Sequence, residues 1–309
     1  MKTVFGPVPS RRLGRSLGID VIPPKTCSHD CVYCESGRTT HLSVERRAFV
    51  DPAQVMRDLE SYFAEYPQGA DVLTFSSAGE PTLYEPMREL LRDVKKRFPS
   101  LPLIVLTNGS LLWDPRVRED LMTADVVAPS LNAATPEVYR AVNRPHPSLG
   151  LTRVLEGLEA FSREYRGHLH VEVMLVRGLN DHAEELTAIR RIVDRLAPRR
   201  VELNTVVRPP ADPDVRGLSS EAMQEAEAFF PAGLTRVIGT FKGSGEAGSE
   251  LGLKERVLRM VRRRPCTAEE TAESLGVRLE DLQESLTELE SSGKLVRSRF
   301  DGREFLRLP

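Results

Sequence analysis

No stretch of this sequence is apolar for long enough to cross a bilayer. The longest apolar runs, such as Leu101–Leu106, are about six residues, against the ~20 that a spanning helix needs. An apolar leader is also missing from the first residues, MKTVFGPVPSRR, so no secretory signal is expected and the cytoplasm is the expected compartment. Cysteine is scarce: four in 309 residues, which excludes a disulfide framework for a chain of this size. Neither sign of charge dominates, since 43 Lys and Arg face 45 Asp and Glu for a formal net charge of −2. That balance excludes a uniformly basic nucleic-acid binder but not a local patch. Residues 1–50 carry such an excess, eight basic against four acidic side chains. A repeat of fixed period is absent, and one linker-like stretch is the only low-complexity tract.

What is present suffices for a packed globule. Apolar residues at 40% can fill a core and charged residues at 28% can coat it. The length predicts two domains, or one large domain with an appendage. From Ser16 to about Thr240, strand patterns at Leu17–Ile22, Val72–Ser76, Leu103–Thr107, Val126–Leu131, His170–Val176 and Val201–Val206 alternate with amphipathic helical patterns. That alternation predicts an α/β fold with a parallel sheet. Asp51-Pro52, Asp114-Pro115 and Thr135-Pro136 each place a capping residue before a proline suited to the first helical position. The run Gly243–Glu250 is small, polar and aperiodic, the composition of a flexible linker. The expected division is a core over residues 1–242, a linker over 243–252 and a terminal unit over 253–309. In that unit, three helical patterns and two strands turning at Asp301-Gly302 resemble a winged helix.

Three of the four cysteines, Cys27, Cys31 and Cys34, fall within eight residues just after the first expected strand. In parallel α/β architectures ligands collect at the carboxyl ends of strands, so this loop is read as a metal site. Structural zinc normally takes four ligands, and the only nearby fourth, His29, is trapped between two of the cysteines. An iron–sulfur cube is held by thiolates, and three cysteines leave one iron open to a small molecule. The second reading is the stronger one.

The spacing C-x3-C-x2-C, with Tyr33 before the last cysteine, resembles the signature of the radical S-adenosylmethionine (SAM) superfamily. The resemblance covers roughly Val4–Phe241 and implies a partial (β/α)6 TIM-like barrel. It also implies a [4Fe–4S] cluster whose open iron chelates SAM, reductive cleavage of SAM to a 5′-deoxyadenosyl radical, and a reductant such as flavodoxin or ferredoxin. Other segments match the superfamily in turn. Ser76-Ser77-Ala78-Gly79-Glu80-Pro81 resembles the glycine-rich motif that receives SAM's amino group, although Ser77-Ala78 stand where many members have a second glycine. Thr107, Asn108, Ser130 and Asn132 are the polar strand-end residues that would face the ribose and carboxylate, with Asn132 where many members carry Asp. Met174, Val176, Asn204 and Val206 would wall the adenine, and the backbone of Tyr33 would lie near the adenine amino group. The same residues would also serve as ordinary turn, cap and buried-strand positions.

Phe5–Arg15 resembles a subgroup related to wybutosine-forming tRNA-base enzymes. Its arginines Arg11, Arg12 and Arg15 could clamp an anion or form a solvated face. Members of the archaeal type use further N-terminal cysteines for a second cluster, but none precedes Cys27 here. A single cluster is therefore expected, without the tricyclic tRNA chemistry.

In the terminal unit, the third helix carries Glu280, Asp281, Glu284, Glu288 and Glu290 against Arg278 alone. That charge opposes groove binding, so duplex DNA is not an expected partner. The hairpin, with Lys294, Arg297, Arg299, Arg303 and Arg307, could recruit RNA or an acidic peptide. The expectation is thus a radical SAM enzyme acting on an RNA or a peptide or protein substrate, with a glycyl-radical activase as a variant of it. The competing class is a metal- or cluster-dependent DNA-binding regulator.

Overall fold

The computed structural model describes residues 3–10, 14–238, 252–262 and 264–309. The chain enters through β1 (Val4–Ser10), which pairs antiparallel with β2 (Gly14–Ile19). A two-residue parallel pair, β3 (Thr26–Cys27) and β4 (His41–Leu42), closes the loop that bears the cysteines. Helices and strands then alternate as α1 (Pro52–Glu65), β5 (Val72–Phe75), α2 (Met87–Arg97), β6 (Leu103–Thr107), α3 (Pro115–Asp120), β7 (Val126–Pro129), α4 (Pro136–Asn143), α5 (Leu151–Glu164), β8 (His168–Leu175), α6 (Ala183–Leu196), β9 (Arg200–Thr205), α7 (Ser220–Glu227) and β10 (Thr235–Val237). The main sheet runs in the order β1-β2-β5-β6-β7-β8-β9-β10, parallel from β2 onward. Sequential parallel strands joined through helices give a partial barrel whose ligand-bearing loops share one end.

All six expected strands are present, and two more extend the sheet. β1 escaped the sequence reading because Gly6, Pro7 and Pro9 interrupt its alternation, yet prolines are tolerated in an edge strand. In it Phe5 pairs with Gly18, and its ring lies 2.0 Å from where a Cβ on Gly18 would stand, so the glycine is what admits the aromatic side chain. At the other edge β10 has only three residues, too few for a period to register.

The core is the layer between sheet and helices. β8 is explicit: Leu169, Val171, Val173 and Leu175 are buried and belong to that layer, while His170, Glu172 and Met174 alternate onto the inner face. Asp51 and Asp114 cap their helices by accepting from the N–H groups of Ala53 and Arg116. Thr135 does not cap α4. Its N–H and hydroxyl are turned to the buried carboxylate of Glu185 on α6 instead.

The terminal unit contains α8 (Leu253–Val261), α9 (Ala268–Leu275), α10 (Leu279–Ser291) and a hairpin of β11 (Val296–Phe300) and β12 (Arg303–Arg307). Asp301 and Gly302 turn it with positive φ values of 47° and 71°, the backbone a two-residue Asp-Gly loop requires. Its own core includes Val257, Leu275, Leu282, Leu286, Leu289 and Leu306. Phe300 and Phe305 instead pack with Val32, Val142, Val176, Val206 and Val215 of the barrel, so the hairpin lies against the barrel's strand ends. The expected linker lies outside the described residues except for Gly252, and Arg11 and Arg12 lie outside them as well. Arg15, one of the three arginines read as either an anion clamp or a solvated face, is paired with Asp71 at 2.9 Å.

Candidate cofactor site at the strand ends

The cysteine loop leaves β2 and is held from two sides. On its outer side, the N–H groups of Thr40 and His41 donate to the Lys25 carbonyl, and that of Ser43 donates to Cys27. The Thr39 hydroxyl donates to the His29 carbonyl at 2.7 Å, and Arg38 pairs with Asp30 at 2.8 Å. On its inner side, the C-terminus of α4 supplies carbonyls that would otherwise be orphaned. Asn143 O accepts from Asp30 N at 3.1 Å, and Val142 O accepts from Val32 N at 3.0 Å. The loop thereby orders itself and finishes the helix.

The thiols sit in a protected, low-dielectric place. Burial pushes Cys31 up to about 12, with the neighbouring Cys34 adding to the effect. Cys27 and Cys34 are also pushed upward, chiefly by burial, and Glu80 and Cys31 add to the shift of Cys27. Three thiolates there oppose one another unless a cation compensates them, and a metal centre does so while deprotonating its ligands outright. N–H donors already face the sulfurs, the Ser36 backbone N–H at Cys34 among them. Asn108 Nδ2 and the His29 backbone N–H lie 3.6 and 3.5 Å from Cys27 Sγ, and Asn143 Nδ2 lies 3.5 Å from Cys31 Sγ. Three thiols on one loop, with donors aimed at their sulfurs, fit a cluster with one open corner.

The His29 ring is turned away from service as a fourth ligand through Nε2, which is engaged with the Tyr139 hydroxyl at 2.7 Å, and burial lowers its pKa to about 3. Among the described residues, no group of three or more His, Cys, Asp or Glu side chains is arranged to cage a single ion.

The segment after β5 passes close behind the cysteine loop. Lys25, at φ 64°, donates its N–H to the Ala78 carbonyl at 2.7 Å. A Cβ on Gly79 would stand 2.1 Å from the Thr26 carbonyl oxygen, so only glycine fits beside the strand that carries Cys27. Gly79→Ala is expected to destabilise the chain by roughly 1–3 kcal/mol through overpacking. Thermal unfolding checks this, and an unchanged melting temperature would contradict it.

Ser77 Oγ is buried without a partner among the described residues. Glu80 is 1% exposed. Its Oε1 accepts from Thr82 N and from the hydroxyls of Thr82 and Thr107, and its Oε2 accepts from Asn108 N at 2.7 Å. Burial nevertheless lifts its pKa against those four donors. Glu80 therefore ties the end of β5 to that of β6, and Oε2 is the oxygen with acceptor capacity to spare. Asn132 spends both polar ends on protein, donating to the Tyr33 hydroxyl at 2.6 Å and accepting from Met174 N at 2.8 Å. Ser130 follows β7 at the same rim, its N–H bonded to the Thr107 carbonyl. Asn204 Oδ1 accepts from Thr205 N at 3.0 Å. Met174 packs beside Val176 and Val206, which lie in the apolar group beneath Phe300 and Phe305.

Several residues of this neighbourhood had no sequence signal. Asn180 holds the ends of β7 and β8 through the Asn132 and Met174 carbonyls, each at 2.8 Å. Arg208, 5% exposed, lies between Glu35, at 3.4 Å on the cysteine loop, and Glu270, at 3.3 Å on α9. No helix is long and apolar enough to cross a membrane among the described residues.

Comparison with known proteins gives consistent findings. The profile of the Radical SAM superfamily matches residues 21–190. A UPF0026 protein of Methanocaldococcus jannaschii is 33% identical over 313 residues, covering 99% of this chain and 95% of that one. A protein named GTPase Obg from Brachyspira hyodysenteriae is 33% identical over 296 residues, covering 95% of this chain but 43% of that protein, so the chain spans less than half of that relative. Among solved structures, TYW1 with a lysine-pyruvate adduct bound superposes with a TM-score of 0.53 at 16% identity, over 69% of this chain and 72% of that one. That last likeness concerns the fold alone.

Proposed function

The chain belongs to the radical SAM superfamily, and from that premise we propose that it uses a single [4Fe–4S] cluster on Cys27, Cys31 and Cys34 to cleave SAM and modify a macromolecular substrate. It is an enzyme of this class, with SAM and an iron–sulfur cluster as its cofactors. The chemistry these cofactors supply when bound is one-electron cleavage of SAM and abstraction of a hydrogen atom from a substrate, driven by an external reductant such as flavodoxin or ferredoxin. The observation that carries the reading is the donor set: three half-buried cysteines on one loop at the strand ends, their sulfurs already facing N–H donors.

This chain's own residues do the rest of the work. Gly79 lets the backbone of 77–79 run beside Cys27, which suits a cradle for SAM's amino and carboxylate groups, with Glu80 Oε2 as acceptor. Thr107, Asn108, Ser130 and Asn132 form the polar rim, and Met174, Val176, Asn204 and Val206, with Tyr33, form the wall for the base. We read residues 253–309 as a winged-helix-like module that covers this wall. Two of its five hairpin cations are engaged at home: Arg297 pairs with Glu290 and Glu304, and Arg303 with Glu270. The carboxylates of α10, Glu280, Asp281, Glu284, Glu288 and Glu290, oppose phosphates further, which favours a peptide over an RNA substrate. The subgroup related to wybutosine-forming enzymes belongs to the same reading.

The test is anaerobic reconstitution of the full chain, followed by SAM and dithionite. Methionine and 5′-deoxyadenosine should form in equal amounts, and a true peptide substrate should raise their rate. A colourless protein holding zinc and releasing no 5′-deoxyadenosine would end the proposal. RNA, rather than peptide, raising the rate would overturn the substrate preference alone.

A further inference from the structure

Asn143, the last residue of α4, is 3% exposed. Its backbone carbonyl closes the helix by accepting from Asp30 N. Its side chain has no part in that closure. Among the described residues the amide has one polar partner, Cys31 Sγ, at 3.5 Å from Nδ2, and Oδ1 is buried without one. A primary amide buried with its carbonyl oxygen unpartnered costs stability, and an apolar side chain of similar size would serve packing better. The helix end does not need the amide, so its use is sought at the sulfur.

We propose that Asn143 is a positioning residue for electron transfer: its amide N–H, aimed at Cys31 Sγ, raises the reduction potential of the cluster. The inference rests on the cluster assignment above. An electron added to a thiolate-held cluster raises the negative charge on its sulfurs. A fixed N–H dipole aimed at one of them therefore favours the reduced form, and more so in a buried, low-dielectric place. Hydrogen bonds of this kind, made to ligand atoms from outside the ligand set, tune metal centres generally. Asn108 Nδ2 stands in the same relation to Cys27 Sγ at 3.6 Å, but it also donates to Ser28 Oγ at 2.8 Å, so its removal would disturb more than the sulfur. Asn143 isolates the effect.

The experiment is a redox titration of the reconstituted full chain without SAM, followed by electron paramagnetic resonance, with iron and sulfide counted per chain. Asn143→Leu should load the same cluster and make its reduction about tenfold less favourable, the worth of one charge-assisted hydrogen bond. For a one-electron couple that is a fall of ~59 mV. Because it removes an unsatisfied buried group, thermal stability of the metal-free chain should hold or rise, which a merely structural asparagine would not allow. Asn143→Ser, too short to reach the sulfur, should lower the potential likewise. An unchanged midpoint in loaded variants overturns the proposal, and so does failure of both variants to assemble a cluster, which would make the amide a scaffold. A wild-type chain that assembles no iron–sulfur cluster defeats the underlying assignment instead.

Discussion

Cys27→Ala, Cys31→Ala and Cys34→Ala should each reduce 5′-deoxyadenosine formation to the level seen without protein, whereas Cys266→Ala should leave it intact. The first three thiols share one loop and sense one another's charge. With one removed, the remaining two cannot hold a cube whose fourth corner is reserved for SAM. Cys266 is equally a free cysteine, fully buried, but its backbone is tied to Leu306 in the terminal unit by N–H···O bonds of 3.2 and 2.7 Å. Its truncation should cost about 1 kcal/mol of stability, as for a small buried side chain, without loss of iron. Iron and sulfide analysis beside the SAM-cleavage assay separates the two outcomes. Activity surviving in any one of the first three variants would contradict the assignment.

The contrast marks what local pattern can carry. Eight consecutive residues, Cys27–Cys34, located the site, because the thiols that share it also share one loop. Helix starts at Pro52 and Pro115 were legible because a cap and the helix it serves are neighbours in sequence. Thr135 had the same local pattern, yet Glu185, 50 residues away in sequence, drew its hydroxyl off the helix. The same limit explains the omissions at the site. Asn143 acts on a sulfur 112 residues earlier, and Asn180 binds the Asn132 carbonyl across 48 residues. No period or spacing announces a partner brought near only by folding. The placement of the hairpin was hidden for a related reason. Phe300 and Phe305 read as ordinary alternating strand residues, and only the apolar strand ends of the barrel decide that they leave the terminal unit's own core.

Arg208→Ala should then uncouple that terminal unit from the cysteine loop, with a loss of roughly 2–3 kcal/mol. The guanidinium is 5% exposed and lies between Glu35, one residue past Cys34, and Glu270 of α9, at 3.4 and 3.3 Å. Removing the cation leaves two carboxylates without their shared partner. Glu35 contributes the smaller part because it is 45% exposed and can turn to water. Glu270 is 13% exposed and keeps only Arg303, at 3.0 Å. Arg208→Lys, which retains the charge but cannot reach both carboxylates with one planar fork, should fall between wild type and alanine. The pH dependence gives an independent check. Burial pushes the Glu270 carboxyl up, but Arg208 and Arg303 outweigh it, so its pKa ends below the usual 4.5. A carboxyl depressed on folding contributes stability that is complete above its unfolded pKa and is lost as pH falls through the folded one. Wild-type stability should therefore show no contribution to its slope from this group between pH 7 and 5 and should decline below about 4.5, and Arg208→Ala should flatten that acid limb. Thermal melts over this range measure both effects. A variant that melts as wild type does would mean that the Phe300 and Phe305 contacts alone hold the unit in place.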